Sequence, residues 1–275
     1  MKDLSASIVV YKNSADILAK TIHSFLRDTE DSKLYLIDNS PTDELKYLAY
    51  DPRIIYKFNN RNIGFGAGHN IVLRDIVNQS KYHIILNPDV YFDEDVIGKL
   101  HLFMEQHPLI GQVMPKVLSP DGRLQPLCKL LPTPKTLIQR RFLNFHKSSL
   151  EKENYHYELR VSGYDKIMDV PFLSGCFMFL RTDALKTVGL FDERFFLYTE
   201  DTDLSRRIHK HYRTVYFPMA TIYHYHQRGS YRNAWLMWCN IKSAIKYFNK
   251  WGWANDQERE YFNRRTMQQF AEMHG

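Results

Sequence analysis

No window of the chain holds the ~18 uninterrupted apolar residues that a membrane-spanning helix requires. Cysteine is scarce, with three in 275 residues. Cys128, Cys176 and Cys239 are far apart, odd in number and outside any Cys-x-x-Cys. That excludes a disulfide framework or a zinc ribbon, and the expectation is reduced, structural thiols in a cytoplasmic protein. The N-terminus, Met1-Lys2-Asp3-Leu4-Ser5-Ala6, runs straight into a strand pattern, with no basic stretch followed by an apolar one, so no secretory leader is expected. Internal repeats and low-complexity tracts are missing, which excludes solenoids and disordered arrays.

What the chain does contain is an ordinary globular mixture, 44% hydrophobic and 25% charged, enough for one large domain with an appendage. Its net charge of +6 is uneven. Ser119 to Lys152 carries seven Lys/Arg against two Asp/Glu, and Arg228 to Gly275 carries eight against four. The remainder is slightly acidic. Local basic segments point to an anionic partner. A nucleic-acid-binding protein would spread its cations along one ordered face. Here they fall in one irregular segment and one tail, so nucleic acid is not expected.

The pattern of elements is α/β. Ser5 to Tyr11 reads as a strand, followed by a helix capped by Asn13 or Ser14, with Ile17, Leu18, Ile22, Phe25 and Leu26 at helical spacing. Leu34 to Asp38 and Arg53 to Phe58 read as strands, and a glycine-rich loop, Asn62 to Asn70, leads into a helix over 67–78. Ile84-Ile85-Leu86 is a buried strand stopped by Asn87-Pro88-Asp89. Asp93 opens a helix with Val96, Ile97, Leu100, Phe103 and Met104 on one face, and Gln112 to Met114 is a fifth strand. From Ser119 to Lys166, prolines at 120, 126, 132 and 134 predict an irregular loop. Order resumes with a strand over Cys176 to Leu180, a short helix closed by Gly189, a basic helix after Asp203, and a last strand at Val215 to Phe217. Alternating strands and helices imply a mainly parallel sheet.

Four polar groups then fall at strand ends or loops: Asp38, Asp89, Glu200-Asp201 with Asp203, and His224 with His226. Asp38 could cap its own turn or accept from a nucleobase. Gly64-Phe65-Gly66-Ala67-Gly68 has neither the Gly-x-Gly-x-x-Gly spacing nor a Walker lysine. Glu200, Asp201 and Asp203 could serve only the helix dipole. At most one of the two histidines is expected to face a site. Taken together they suit a specific chemistry. Asp89 with a histidine suits Mn²⁺ or Mg²⁺ bridging a diphosphate, and a separate carboxylate suits a general base.

In this order the motifs resemble those of glycosyltransferase family 2, the inverting enzymes of GT-A fold, and within it the rhamnosyltransferase-like branch. Ser7 to Asn13 is similar to the family's first strand, usually ending Tyr-Asn, with Lys12 here between Tyr11 and Asn13. Asp38-Asn39-Ser40-Pro41-Thr42-Asp43 resembles the segment whose first Asp contacts the nucleobase. Asn62, Gly64 and Asn70 match the Asn-x-Gly…Asn loop. Asn87-Pro88-Asp89 stands where the family has Asp-x-Asp; Asp89 would bind the metal, and Asn87 departs from the pattern. Ser174-Gly175-Cys176 occupies an acceptor-side position, joined there by Glu200 and Asp203. Asp201 matches the catalytic base and His224 the late metal-binding histidine.

The resemblance implies a GT-A catalytic domain over 1–232, with helices on both faces of its sheet. A nucleotide-sugar half, 1–115, would be followed by an acceptor and catalytic half, 116–232, holding the irregular basic loop 119–166. A helical extension over 233–275 would complete the chain. It also implies a nucleoside-diphosphate sugar donor, dTDP- or UDP-linked, and a saccharide acceptor, lipid-diphosphate-linked, in bacterial cell-surface polysaccharide or O-antigen synthesis. Rhamnose is the favoured sugar; galactosyl- and glucosyltransferases share the same motifs. In the C-terminal segment Ala234, Trp238, Ile241, Ile245 and Phe248 form an apolar stripe, with Lys242, Lys246 and Lys250 on another face. Either the stripe packs on the domain, or the helix lies at the inner face of the plasma membrane, with Trp251 and Trp253 among headgroups.

Overall fold

A computed structural model describes residues 3–93, 95–142, 147–225 and 233–271. The chain runs β1 (Leu4–Val10), α1 (Ala15–Asp28), β2 (Lys33–Asp38), β3 (Ile54–Phe58), α2 (Phe65–Ile76), β4 (Tyr82–Leu86), β5 (Val90–Tyr91), α3 (Val96–Gln106) and β6 (Ile110–Leu118). It continues through β7 (Cys128–Lys129), α4 (Pro134–Phe142), α5 (Lys147–Tyr157), β8 (Met168–Asp169), β9 (Phe172–Leu173) and β10 (Phe177–Arg181). Then come α6 (Thr182–Val188), α7 (Glu200–His211), β11 (Arg213–His224), α8 (Ala234–Trp251) and α9 (Gln257–Ala271).

The main sheet has the order β3-β2-β1-β4-β10-β6-β11-β5, with β8 beside β11. β1 is parallel to β2 and β4, β2 to β3, and β6 to β11. β10 lies antiparallel between β4 and β6. Alternate residues of the strands supply two cores. Ile8, Val10, Ile84 and Leu86 pack with Leu18, Ile22 and Phe25 of α1 and Leu100 of α3. Val9 and Ile37 pack with Val72 and Ile76 of α2, while Ile85, Met178 and Leu180 pack with Leu73 of α2 and Leu204 and Ile208 of α7. Helices therefore cover both faces, as doubly covered parallel strands require. β1 sits between β2 and β4, so the strand order reverses there, and ligands bind outside the carboxyl ends at such a point.

A polar seam runs under the α2 face. Ser7 Oγ meets His69 Nδ1 and His83 Nε2, each at 2.7 Å, and Ser5 Oγ meets His83 Nδ1 at 2.8 Å. Burial lowers the pKa of both histidines, that of His83 to about 3.

Several expectations need correction. α2 starts at Phe65, two residues early, because Gly66 and Gly68 are helical and let Phe191 and Val9 pack against the helix: an added Cβ would stand 2.8 and 2.7 Å from them. α3 is capped by Asp95, whose side chain accepts from the Gly98 N–H, while β5 intervenes after Asp89. Of the two expected caps, Ser14 holds the N-cap position of α1 without a side-chain bond, while Asn13 accepts the Tyr11 N–H at 2.8 Å. The segment 119–166 is not one irregular loop: it holds β7, α4 and α5. Pro134 is the first residue of α4, a position where proline suits a helix, and Thr133 Oγ1 accepts the Thr136 N–H at 3.0 Å as its cap.

α8 is a helix capped by Asn233, but its buried residues are Cys239, Ser243, Tyr247 and Phe248. Of the expected stripe, Trp238 and Ile245 are exposed. Lys246 donates to the Arg194 carbonyl, and Lys250 lies 2.7 Å from Asp203 and 2.9 Å from Asp192. Packing on the rest of the described chain thus claims this helix's other face and two of its three lysines. α9 is tied in as well, through Gln269 to Asp169 and Asn263 to Leu131. No described helix is long and apolar enough to cross a membrane.

Candidate active site

Asn87 and Asp89 follow β4 at the carboxyl edge of the sheet, where Pro88 stops the ladder. β11 returns antiparallel beside β5, pairing His224 with Val90, and the Tyr225 N–H donates to the Asp89 carbonyl at 3.1 Å. This register sets His224 Nε2 3.4 Å from Asp89 Oδ1, with both side chains largely buried.

The other end of the imidazole is fixed by Gln125. Gln125 Nε2 donates to the His224 carbonyl at 2.7 Å and to Ser119 Oγ at 3.0 Å, so its Oε1 is the acceptor facing His224 Nδ1, 3.0 Å away. Nδ1 therefore carries a proton, and Nε2 faces the Asp89 carboxylate, where a proton or a cation can bridge the two. A carboxylate beside an imidazole oriented through its far nitrogen is a fitting donor set for Mn²⁺. Among the described residues no third His, Cys, Asp or Glu joins them.

Asp201 enters from α7. Tyr198 and Thr199, which precede this helix, both take left-handed backbone, at φ 71° and 62°. Neither is glycine, so the turn stores strain of a kind that gathers at functional sites. Asp201 Oδ2 accepts the Gly175 N–H at 2.9 Å, and Oδ1 accepts its neighbour Thr202 N–H at 2.7 Å. A Cβ on residue 175 would lie 3.1 Å from Asp201 Cβ, so glycine permits this approach. The next residue, Cys176, gives its carbonyl to the Asn87 N–H at 2.9 Å. Ser174-Gly175-Cys176 thereby ties the Asp89 edge to Asp201. Burial pushes the Cys176 thiol up to about 12, which keeps it inert. Glu200 is buried beside Asp201, and burial and that charge raise its carboxyl to about 8. Its Oε2 meets no hydrogen-bond partner among the described residues.

These groups line one cleft of about 440 Å³. Of the residues expected at a site, Asn87, Asp89, Ser174, Gly175, Glu200, Asp201 and His224 all line it. Others are placed elsewhere. Asp203 is fully buried in a pair with Arg207 and Lys250 and a bond from Trp251 Nε1, so it anchors helices rather than facing an acceptor. Asn70 clamps Phe191 through both its amide ends and donates to Glu193. Gly64, at φ 94°, meets the Phe196 carbonyl, which an added Cβ would approach to 2.3 Å, and Asn62 accepts the Gly64 N–H. Asp38 is buried, accepting from the Ser40 N–H and the Tyr56 hydroxyl. Tyr11 is exposed above this turn. His226 lies outside the described residues.

Sequence reasoning missed Gln125, and it missed Lys129, Arg140, Tyr157 and Asn240, which also line the cleft. Lys129 and Arg140 belong to the basic segment 119–152, so its charge was the available signal.

A sheet of this order, with an Asp–His pair at its carboxyl edge and a carboxylate at a facing helix start, defines a glycosyltransferase of GT-A type. The chain belongs to glycosyl transferase family 2, whose model matches residues 7–189; that of glycosyl transferase family group 2 matches 129–274. N-acetylglucosaminyl-diphospho-decaprenol L-rhamnosyltransferase of Mycobacterium tuberculosis is 27% identical over 72% of this chain and 68% of its own length. Rhamnosyltransferase WbbL of Escherichia coli is 23% identical over 87% of this chain and 90% of its own. Among solved structures, GalNAc-T7 with UDP, GalNAc and Mn²⁺ superposes with a TM-score of 0.60 at 15% identity, over 80% of this chain and 42% of that one. The Pyrobaculum calidifontis mannosyltransferase PcManGT with GDP-Man and Mn²⁺ gives 0.56 at 14%, over 82% and 58%. The chain thus spans about two fifths to three fifths of these structures, and the likeness carries the fold.

Proposed function

We propose that the chain is an inverting, metal-dependent rhamnosyltransferase. It would move the sugar of a dTDP- or UDP-linked donor to a saccharide acceptor carried on a lipid diphosphate. The observation that carries this reading is the single cleft holding Asp89 and His224 on one side and Asp201 on the other. The sugar is supported by both rhamnosyltransferase relatives, and the lipid-diphosphate-linked acceptor by the name of the mycobacterial one.

The steps follow from the residues. Asp89 and His224 would hold a divalent cation, which would supply neutralising charge to the leaving diphosphate. Asp201, held by the Gly175 N–H, accepts the proton of the acceptor hydroxyl as that oxygen attacks the anomeric carbon. Attack opposite the leaving group inverts the centre. One carboxylate base suffices, because the leaving diphosphate needs no protonation; glycosidases, by contrast, use two carboxylates. The chain would work at the inner face of the plasma membrane, with Trp235, Trp238 and Trp253 of its C-terminal part exposed for that contact.

The test is a thermal-shift panel of dTDP, UDP and GDP with and without Mn²⁺. Base-selective stabilisation that requires the metal is expected. Failure of every nucleotide to stabilise the chain would count against the reading.

A further inference from the structure

The helix that carries Asp201 starts without a side-chain cap. Thr199 holds the N-cap position of α7, yet its Oγ1 meets no hydrogen-bond partner among the described residues. The turn before the helix is strained as well, with Tyr198 and Thr199 both in left-handed backbone. Such strain persists only where the surroundings over-determine the conformation. Much of that surrounding structure comes from α8, in the C-terminal part of the chain.

Residues 194 to 197, which lead into the turn, are each held by α8. Lys246 donates to the Arg194 carbonyl. The Phe195 ring packs with Tyr247 and Phe248. The Phe196 ring meets Trp235 edge to face, with centroids 5.5 Å apart. Ser243 Oγ donates to the Leu197 carbonyl at 2.8 Å. Ser243, Lys246 and Tyr247 are three and four positions apart on the helix, so they share one face. The Phe196 carbonyl in turn accepts the Phe65 N–H at 3.0 Å, which ties the same run to the start of α2. Plain packing needs only apolar contact. Here the bonds from Ser243 and Lys246 end on main-chain carbonyls, and so fix the course of the backbone itself. Ser243 is 2% exposed, and a hydroxyl buried that deeply is costly unless it is bonded.

We propose that Ser243 and Lys246 are positioning residues for sugar transfer. They hold the Leu197 and Arg194 carbonyls, hence the strained turn, and hence Asp201 against the Gly175 N–H. α8 is then part of the catalytic apparatus rather than an appendage to it. This role rests on the reading of Asp201 as the base.

One test needs no substrate. The Gly175 N–H is bonded to Asp201 Oδ2 at 2.9 Å, so its hydrogen exchange, followed by NMR on the full chain, reports on the seat of Asp201. Gly175 belongs neither to α8 nor to residues 194–197, so loosening confined to those would not reach it. Ser243→Ala and Lys246→Met should each speed its exchange by about tenfold, while the amides of β1, β2 and β4 keep the parent's protection. Lys246→Arg, which keeps a donor, should restore slow exchange. Lys246 is exposed, so its variants should keep the parent's melting temperature even where Ser243→Ala lowers it.

The second test is single-turnover rhamnosyl transfer from dTDP-rhamnose with Mn²⁺ to N-acetylglucosaminyl-diphospho-decaprenol, the acceptor in the name of the mycobacterial relative. Ser243→Ala and Lys246→Met should each slow the step by about tenfold, with dTDP affinity within about twofold of the parent. In the Asp201→Asn background neither should slow it further, because both act through that carboxylate. Parent-like exchange at Gly175 in both variants, an undiminished rate, or a full further loss on top of Asp201→Asn would overturn the positioning role. A parent chain that transfers no rhamnose, or Asp201→Asn turning over at the parent rate, would overturn the reading beneath it, while Gly175 exchange still decides whether α8 seats Asp201.

Discussion

The two walls of the cleft are made in different ways. The wall we propose for the donor is a product of the sheet: Asn87 and Asp89 follow β4, and His224 is the last residue of β11, paired across β5. The wall we propose for the acceptor is a product of packing. Lys129, Arg140, Tyr157 and Asn240 come from a short strand and three helices, and the helices are held against the domain by long-range contacts. The first wall follows from local pattern. The second depends on the C-terminal helices being in place, since Leu137 of α4 packs with Tyr247 and Phe248 of α8. A stable sheet edge for the donor and an added helical wall for the acceptor would let acceptor choice vary while the donor wall stays fixed.

The largest effect should come from breaking the tie between α7 and the C-terminal helices. Arg206 of α7 is 1% exposed, bonded to Asp256 at 2.6 and 2.7 Å, and lies 4.0 Å from the Trp251 ring. Asp256→Ala leaves that guanidinium buried with Glu258, 3.0 Å from its Nε, as its one carboxylate partner among the described residues, and the Tyr247 hydroxyl at 3.4 Å. The expected cost is about 3 kcal/mol, read by urea denaturation, with transfer falling as α7 loosens. A variant as stable as the parent would detach the acceptor wall from the fold's stability.

Next in size is the donor wall itself. Asp89→Ala should weaken Mn²⁺-dependent nucleotide binding by on the order of 100-fold, and stripping the metal with a chelator should mimic it in the parent chain. Unaltered metal dependence of binding would remove Asp89 from that role. Gln125→Ala should cost less, about tenfold in metal affinity, because it releases only the orientation of His224. Equal nucleotide affinity with and without Gln125 would show that His224 needs no such support.

The smallest effect concerns pH. Glu200 is raised from 4.5 to about 8, so between those values the folded chain keeps a proton that the unfolded chain has lost. Stability therefore falls as pH rises through that window. Glu200→Gln should flatten the slope by on the order of 1 kcal/mol, measured as melting temperature against pH. His83 acts with the opposite slope. Its pKa is lowered from 6.5 to about 3, so stability is present above 6.5 and lost as pH falls towards 3, whichever residue stands at 200.

The contrast between walls also explains what could be read from residues alone. All five apolar residues expected on the face of α3 are buried, and the strands carrying Asp38 and Asp89 fall close to where alternation and Asn-Pro-Asp put them. These signals are local. Thr133-Pro134 was taken for a break, though it starts a helix, because proline at a helix's first position looks like proline in a loop until the cap is seen. On α8, Phe248 of the expected stripe is buried, but Cys239, Ser243 and Tyr247 complete that face, while Ile241 and Ile245 face a groove against α4. Gln125 gave no signal at all. Its partner His224 is 99 positions away, and nothing in either neighbourhood marks the pair.

The central claim is that Asp201, on the acceptor side, makes the bond, while Asp89 only holds the leaving group. The most direct measurement is single-turnover sugar transfer by Asp201→Asn, with donor affinity measured on the same preparation. The account predicts a rate lowered by about a thousandfold or more, with nucleotide affinity in Mn²⁺ within about twofold of the parent. Transfer at near the parent rate, or a loss traced to donor binding alone, would contradict it.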